Sequence, residues 1–166
     1  MLFRSADTVT ESKPALSRVP WPPLLYLLAI ALGVVLTVAW PLPWIGKPLS
    51  DLLFAIGGVM AAGAVLLFAF SLRSLMRART TVMPTRPADH LVTSGPFAVS
   101  RNPIYLADTM LVIAIGLIAG SVWFPILAII AAMVTTRLAI LPEESSLAAH
   151  FGKKYRDYAG KVRRWI

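Results

Sequence analysis

Two groups of polar residues in this 166-residue chain could form a chemical site, because each stands at the end of a long apolar run. The first is the segment 101–105, Arg-Asn-Pro-Ile-Tyr, and the second is the adjacent pair Glu143 and Glu144. Neighbouring carboxylates at an apolar boundary stay ionised only when cations or hydrogen-bond donors face them. Arg101 and Arg137 are such cations, and a cationic ligand is an alternative partner.

The stretch between the two polar groups predicts that they meet in space. A helix over 104–119 rises about 24 Å, and after a turn at Gly120 and Ser121 the segment 122–138 returns a similar distance. The segment 101–105 therefore comes level with Arg137 and the two glutamates.

Each of these residues also has a simpler interpretation, which spacing alone favours for the glutamates. Glu143 and Glu144 follow a proline, and acidic residues are common in the first turn of a helix. Arg101 and Arg137 are also typical of basic residues that anchor a protein at the cytoplasmic membrane surface, and Tyr105 is typical of an aromatic residue at the membrane interface.

The elements that position these groups are predicted to be membrane-spanning helices. Hydrophobic residues make up 57% of the chain and charged residues only 14%, which is outside the usual range for a soluble domain. The sequence predicts an all-α integral membrane protein with about four transmembrane helices and a C-terminal interfacial amphipathic helix. The four apolar segments are 24–40, 49–72, 104–120 and 122–136.

The distribution of positive charge predicts the orientation in the membrane. The net charge is +8, and of the 16 basic residues only Lys47 falls on the opposite side when four helices span. This asymmetry is typical of cytoplasmic loops, so both termini are expected in the cytoplasm, in a bacterial inner membrane. Anionic membrane lipid explains the charge better than nucleic acid, which is not expected as a partner.

The domain organisation follows from these segments. We expect a single membrane-embedded domain over 1–166, in which the long loop between the hairpins is typical of a functional or a disordered segment. Its parts are a polar tail over 1–20, a helical hairpin over 24–72, a cytoplasmic loop over 73–103, a second hairpin over 104–138 and an interfacial helix over 142–166.

Other reactive residue types are few. The chain has no cysteine, which excludes disulfides and thiol catalysis, and no metal site is predicted. His90 and His150 are the only histidines, and each is better interpreted as a surface residue than as a general base. Asp108 lies inside an apolar segment and is costly there unless it pairs with an arginine or faces a cationic substrate.

The polar groups carry a resemblance to a known family. The segment "LVTSGPFAVSRNPIYL", followed after an apolar hairpin by "PEESSLAAHFGKKYRDYAGKVRRW", resembles the isoprenylcysteine carboxyl methyltransferase and phospholipid methyltransferase superfamily. These are integral membrane enzymes that use S-adenosylmethionine. Two positions depart from the family pattern: Asn102 stands where histidine is usual, and Ala107 where glycine is usual. Asparagine cannot titrate, which puts a proton-shuttling role at this position in doubt.

The resemblance implies a cofactor pocket and an acceptor that dissolves in the membrane. The acceptor would be a lipid amine, a lipophilic carboxylate or a thiol, and Arg137 is implied as a catalytic residue on the substrate side, with a membrane anchor as its alternative role. The residues implied to bind S-adenosylmethionine are Gly95, Phe97, Arg101, Asn102, Pro103, Tyr105, Glu143 and Glu144.

Two other functions remain open from the sequence. A membrane reductase related to the steroid and sterol reductases would use a nicotinamide cofactor, although it should need more helices and more basic residues. A membrane scaffold without enzymatic activity would use the small residues of the second apolar segment to bind a partner helix.

Overall fold

The computed structural model describes residues 21–79 and 90–166. Throughout this part of the chain the regular structure is helical, as the sequence predicts. The predicted N-terminal tail over 1–20 and part of the predicted loop, residues 80–89, lie outside the described residues. The helices are α1 (Trp21–Ala39), α2 (Leu49–Arg77), α3 (Pro103–Ala119), α4 (Trp123–Thr135), α5 (Leu141–Phe151) and α6 (Lys153–Lys161).

Three helical stretches among the described residues are long and apolar enough to cross a membrane. They are Pro22–Ala39, Leu49–Arg77 and the continuous run Trp123–Phe151, while Pro103–Ala119 is a shorter apolar helix. At 17 residues α3 is about 25 Å long, close to the roughly 30 Å of a bilayer's hydrocarbon core. Large apolar side chains cover the outward faces of these helices, as lipid-facing surfaces require.

Small residues set the packing between the helices. α2 packs mainly against α3, while α1 and α3 both pack against α4. A Cβ atom at Gly57 in α2 would lie 2.9 Å from Leu117 Cβ, and one at Gly116 in α3 would lie 2.6 Å from Pro125 Cδ. Close approach of helix backbones is what holds helices together in lipid, where burial of apolar area adds little.

The core of the bundle lies between α1, α3 and α4. Its buried residues alternate between bulky and very small side chains, which allows the three helices to interdigitate. They are Tyr26, Ala29, Val112, Phe124, Ala128 and Ala131.

The turn between α3 and α4 completes the second hairpin. Gly120 ends α3 in the left-handed conformation, with φ at 66°, where a side chain would be strained. Ser121 Oγ lies 2.6 Å from Thr37 Oγ1 of α1, so this turn is tied to the first hairpin as well.

The region after α4 differs from the single interfacial helix predicted over 142–166. A π-helical segment, Thr136–Ile140, joins α4 directly to α5, and it lies just before Pro142, whose nitrogen cannot donate a helical hydrogen bond. The helix then breaks at Gly152, which has φ at 55°, and α6 follows. Residues after Lys161 are not helical.

Candidate active site at the end of the second hairpin

The second hairpin brings the two polar groups together. Tyr105 lies in the first turn of α3 and Glu143 in the first turn of α5. The Tyr105 hydroxyl donates a hydrogen bond to Glu143 Oε2 at 3.3 Å, across 38 residues of sequence. The backbone carbonyl of Tyr105 in turn accepts a hydrogen bond from the Tyr26 hydroxyl of α1, at 3.3 Å. Three helices therefore fix the position of this tyrosine.

Glu144 is enclosed by two arginines. Arg164 donates to both of its carboxylate oxygens, from Nε at 2.9 Å and from Nη2 at 2.7 Å. Arg101 Nη1 lies 3.3 Å from Glu144 Oε1, and both of these side chains are only 15% exposed. A two-pronged guanidinium and carboxylate pair is among the stronger hydrogen-bonded contacts in proteins.

The C-terminal segment 162–166 lies against the segment 100–102. The backbone amide of Arg101 donates to the Arg163 carbonyl at 3.0 Å. The Asn102 side-chain amide donates to the Arg164 carbonyl at 3.0 Å, and Ser100 Oγ donates to the same carbonyl at 3.3 Å. Asn102 is therefore buried in a structural contact, and its side chain is engaged with the chain itself.

The turn before this segment is also held from two sides. Gly95–Ala98 forms a short 3₁₀ helix, in which Gly95 has φ at 64°. The Phe97 carbonyl accepts a hydrogen bond of 2.6 Å from the Tyr158 hydroxyl of α6. A Cβ atom at Gly95 would lie 3.3 Å from Ser74 Oγ of α2, so the turn sits between α2 and α6. Pro103 follows as the buried first residue of α3.

Arg137 is not part of this cluster. It lies in the π-helical segment, and its side chain is exposed. Among the described residues it forms none of the ion pairs found around Glu144.

Two further candidate residues, Asp108 and His150, form none of the hydrogen bonds or ion pairs described above. Asp108 is half-buried in α3 and forms no ion pair with an arginine of the described residues, although arginine pairing was one of the two expectations. His150 is exposed near the end of α5, with its ring edge-on to Phe151 at 4.6 Å. No group of three or more potential metal ligands occurs in the described ranges.

Three residues of the site were not identified from the sequence. The sequence placed Tyr155, Tyr158 and Arg164 only within the interfacial helix predicted over 142–166, with no part in a site. Arg101 Nη1 donates to the Tyr155 hydroxyl at 3.5 Å. Burial raises the pKa of Tyr158 to about 12 and also raises the pKa of Tyr155, so both hydroxyls stay protonated at neutral pH. In the sequence, this role of Tyr155 and Tyr158 is indicated only by their spacing of three residues within a strongly charged segment.

The unpaired hydrogen-bonding capacity of the cluster indicates what it could bind. Arg101 Nε is buried and has no hydrogen-bond partner among the described residues. With the described residues Glu143 forms one long hydrogen bond, whereas Glu144 binds two arginines. A buried donor on Arg101 and a carboxylate with spare acceptor capacity on Glu143, the neighbour of Glu144 in sequence, suit a ligand that carries both an anionic group and a cationic or hydroxyl group.

The fold and the site together define a helical membrane protein with a cluster of charged and tyrosine side chains at one end of its bundle. Residues 52–154 match the sequence model of the phospholipid methyltransferase family. The chain belongs to this family, which implies that it is a membrane methyltransferase. No curated protein and no solved structure matches the chain.

Proposed function

We propose that the protein transfers a methyl group from S-adenosylmethionine to a lipophilic acceptor at the cytoplasmic face of a bacterial inner membrane. One observation carries the proposal: Tyr105 meets Glu143, and Arg101 meets Glu144, at one end of the second hairpin. All four residues lie within the part of the chain that matches the methyltransferase family.

The residues of the cluster fit this cofactor by their chemistry. S-Adenosylmethionine carries a carboxylate, an amino group, ribose hydroxyls and a sulfonium. Arg101 Nε, buried and without a partner in the part of the chain that the structure describes, is a donor suited to the carboxylate. Glu143, whose one hydrogen-bond partner within 21–79 and 90–166 is the Tyr105 hydroxyl, can accept from the amino group or a ribose hydroxyl.

The remaining residues assigned from the resemblance fall into two groups in this proposal. Gly95 and Phe97 shape the enclosure, since the turn that holds them is fixed between α2 and α6. Pro103, the buried first residue of α3, adds to it. Glu144 and Asn102 support the pocket through Arg101 and the C-terminal segment. This support role accommodates asparagine in place of the family's histidine, because the Asn102 amide donates to a carbonyl.

The chemistry asks little of the side chains beyond binding and positioning. When bound, the cofactor supplies an electrophilic methyl group on its sulfonium. The residues must align the acceptor behind that methyl group and exclude water. Tyr105 and Glu143 are held by α1, α3 and α5, so they are suited to keeping such an alignment.

The acceptor is proposed to approach from the bilayer. Its class is a lipid amine, a lipophilic carboxylate or a thiol, and the family's name supports a membrane lipid. Arg137 is exposed six residues before Glu143 and is proposed to hold a carboxylate or phosphate of the acceptor. The cytoplasmic orientation is supported by the fifteen basic residues on one side of the predicted spans.

Calorimetry of the purified protein in detergent tests the cofactor. S-Adenosylmethionine and S-adenosylhomocysteine should bind, and Glu143→Gln should weaken binding of both by at least about tenfold, because a hydrogen bond to a charged group is lost. Asp157→Asn, which removes an exposed carboxylate of α6, is the matched control and should change binding by less than about twofold.

The other outcomes discriminate between the remaining functions. Binding of NADPH alone would support a membrane reductase, and binding of none of the three compounds would support a scaffold; either result overturns the proposal. Transfer of a radiolabelled methyl group into membrane lipid extracts, or into added small carboxylates and thiols, would then identify the acceptor.

A further inference from the structure

The C-terminal segment 162–166 forms contacts that a loose tail would not form. Its carbonyls accept hydrogen bonds from the Arg101 amide, the Ser100 hydroxyl and the Asn102 side chain. Its Arg164 side chain binds Glu144 through two nitrogens. This segment lies beyond the residues that match the family, which end at 154.

The geometry at Glu144 shows that the two arginines bind it differently. Arg164 takes both carboxylate oxygens, at 2.9 and 2.7 Å, and hydrogen bonding to Glu144 raises the pKa of its guanidinium. Arg101 reaches the same carboxylate with one nitrogen, at 3.3 Å. Arg164 thus occupies the two-pronged position on Glu144. The buried Arg101 Nε has no hydrogen-bond partner among the described residues.

We propose that Arg164 is a positioning residue for the cofactor site, acting through Glu144 to keep Arg101 Nε available to the ligand. If Arg164 is removed, Glu144 can take Arg101 in the two-pronged geometry that guanidinium and carboxylate groups prefer. The Arg101 Nε would then be occupied by Glu144. The ligand part of this inference rests on the proposed function, whereas the ordering of the segment 100–102 does not.

Arg163 supplies a matched control. It is the neighbour of Arg164 in the same segment, but its side chain is exposed and forms no ion pair among the described residues. Both variants keep the backbone carbonyls that bind the segment 100–102. A difference between Arg164→Ala and Arg163→Ala therefore reports the Arg164 side chain alone.

Binding of S-adenosylhomocysteine, measured by calorimetry, is the first test. Arg164→Ala should weaken binding by at least about tenfold, because a charge-assisted contact next to the site is lost, while Arg163→Ala should change it by less than about twofold. Arg164→Lys keeps the positive charge but not the planar guanidinium, so its affinity for S-adenosylhomocysteine should lie between those of Arg164→Ala and Arg163→Ala. In a Glu144→Gln background, Arg164→Ala should weaken binding by less than a further factor of about two, since the effects of coupled residues are not additive.

Hydrogen exchange is the second test, and it does not depend on a cofactor. Peptides covering 95–105 should exchange faster in Arg164→Ala than in Arg163→Ala, because Glu144 and the C-terminal segment then lose their link. The proposal is overturned if Arg164→Ala and Arg163→Ala have the same exchange rates and the same affinities. It is also overturned if Arg164→Ala weakens binding equally with and without the Glu144 carboxylate. If the unmodified protein binds no adenosyl compound, the proposed function fails, and hydrogen exchange still decides whether Arg164 orders the segment 100–102.

Discussion

The membrane bundle and the site at its end are stabilised by different kinds of contact. In the bundle, α2, α3 and α4 approach closely at glycines and alanines, and most of the buried residues are small and apolar. At the site, segments far apart in sequence are joined by arginines, tyrosines, a carboxylate and backbone carbonyls. A close fit between helices therefore defines the bundle, whereas buried polar contacts define the site at its end.

The largest effect is expected from crowding the bundle. Gly57→Ala places a Cβ atom 2.9 Å from Leu117 and Ile118, so overpacking should lower the free energy of unfolding by about 1–3 kcal/mol. The adjacent Gly58 has open space at its Cβ position, and Gly58→Ala should be nearly neutral. Denaturant titration in detergent micelles compares the two. Equal stability of these variants would show that the bundle does not depend on this contact.

An intermediate effect is expected at the site from a single hydroxyl. Tyr158→Phe removes the hydrogen bond to the Phe97 carbonyl and should cost about 0.5–1.5 kcal/mol near neutral pH. The raised pKa of Tyr158, about 12 against an ordinary 10.0, adds a dependence on pH. Its stabilisation is complete below pH 10 and is lost as the pH rises through 12, because the unfolded state gives up the proton first.

The measurement for this variant is the unfolding free energy across pH 8 to 12, compared with the unmodified protein. The decline above pH 10 should be smaller in Tyr158→Phe. An identical decline of the unfolding free energy in both proteins would show that the buried Tyr158 phenol does not contribute to the stability of the site.

The smallest effect is expected from a polar contact that is not buried. Lys47 Nζ lies 3.9 Å from Asp51 Oδ2, with the two side chains 82% and 64% exposed. Lys47→Ala should change the unfolding free energy by less than about 0.5 kcal/mol, since exposed ion pairs are weak and screened. A loss comparable to that of Tyr158→Phe would contradict the view that burial is what makes the polar contacts of the site matter.

The bundle could be predicted from the sequence almost entirely. The four apolar segments correspond to α1, α2, α3 and α4, because long apolar runs have few alternatives to helices in lipid. The second helix extends to Arg77, five residues beyond its predicted end, since charged residues at a helix end need not stop it. The break at Gly152 was not predicted, although glycine is a weak helix former.

The site could be predicted only in part. The hairpin length predicted that Tyr105 and Glu143 lie at one end of the bundle, because helix rise is a fixed quantity. Arg164 could not be found in this way, because it reaches Glu144 through a break, a short helix and an irregular segment with no common period. For the same reason the sequence offered no sign that the Asn102 side chain binds the backbone of residue 164.

The π-helical segment Thr136–Ile140 determines the rotation of α5, which follows it, about the helix axis. A turn of this kind takes up one residue more than a regular turn, so it rotates the rest of the helix by about 100°. If one residue were deleted there, α4 would continue regularly and the two glutamates would point about a quarter turn away from Tyr105. The wide turn therefore rotates α5 so that Glu143 points toward Tyr105 of α3.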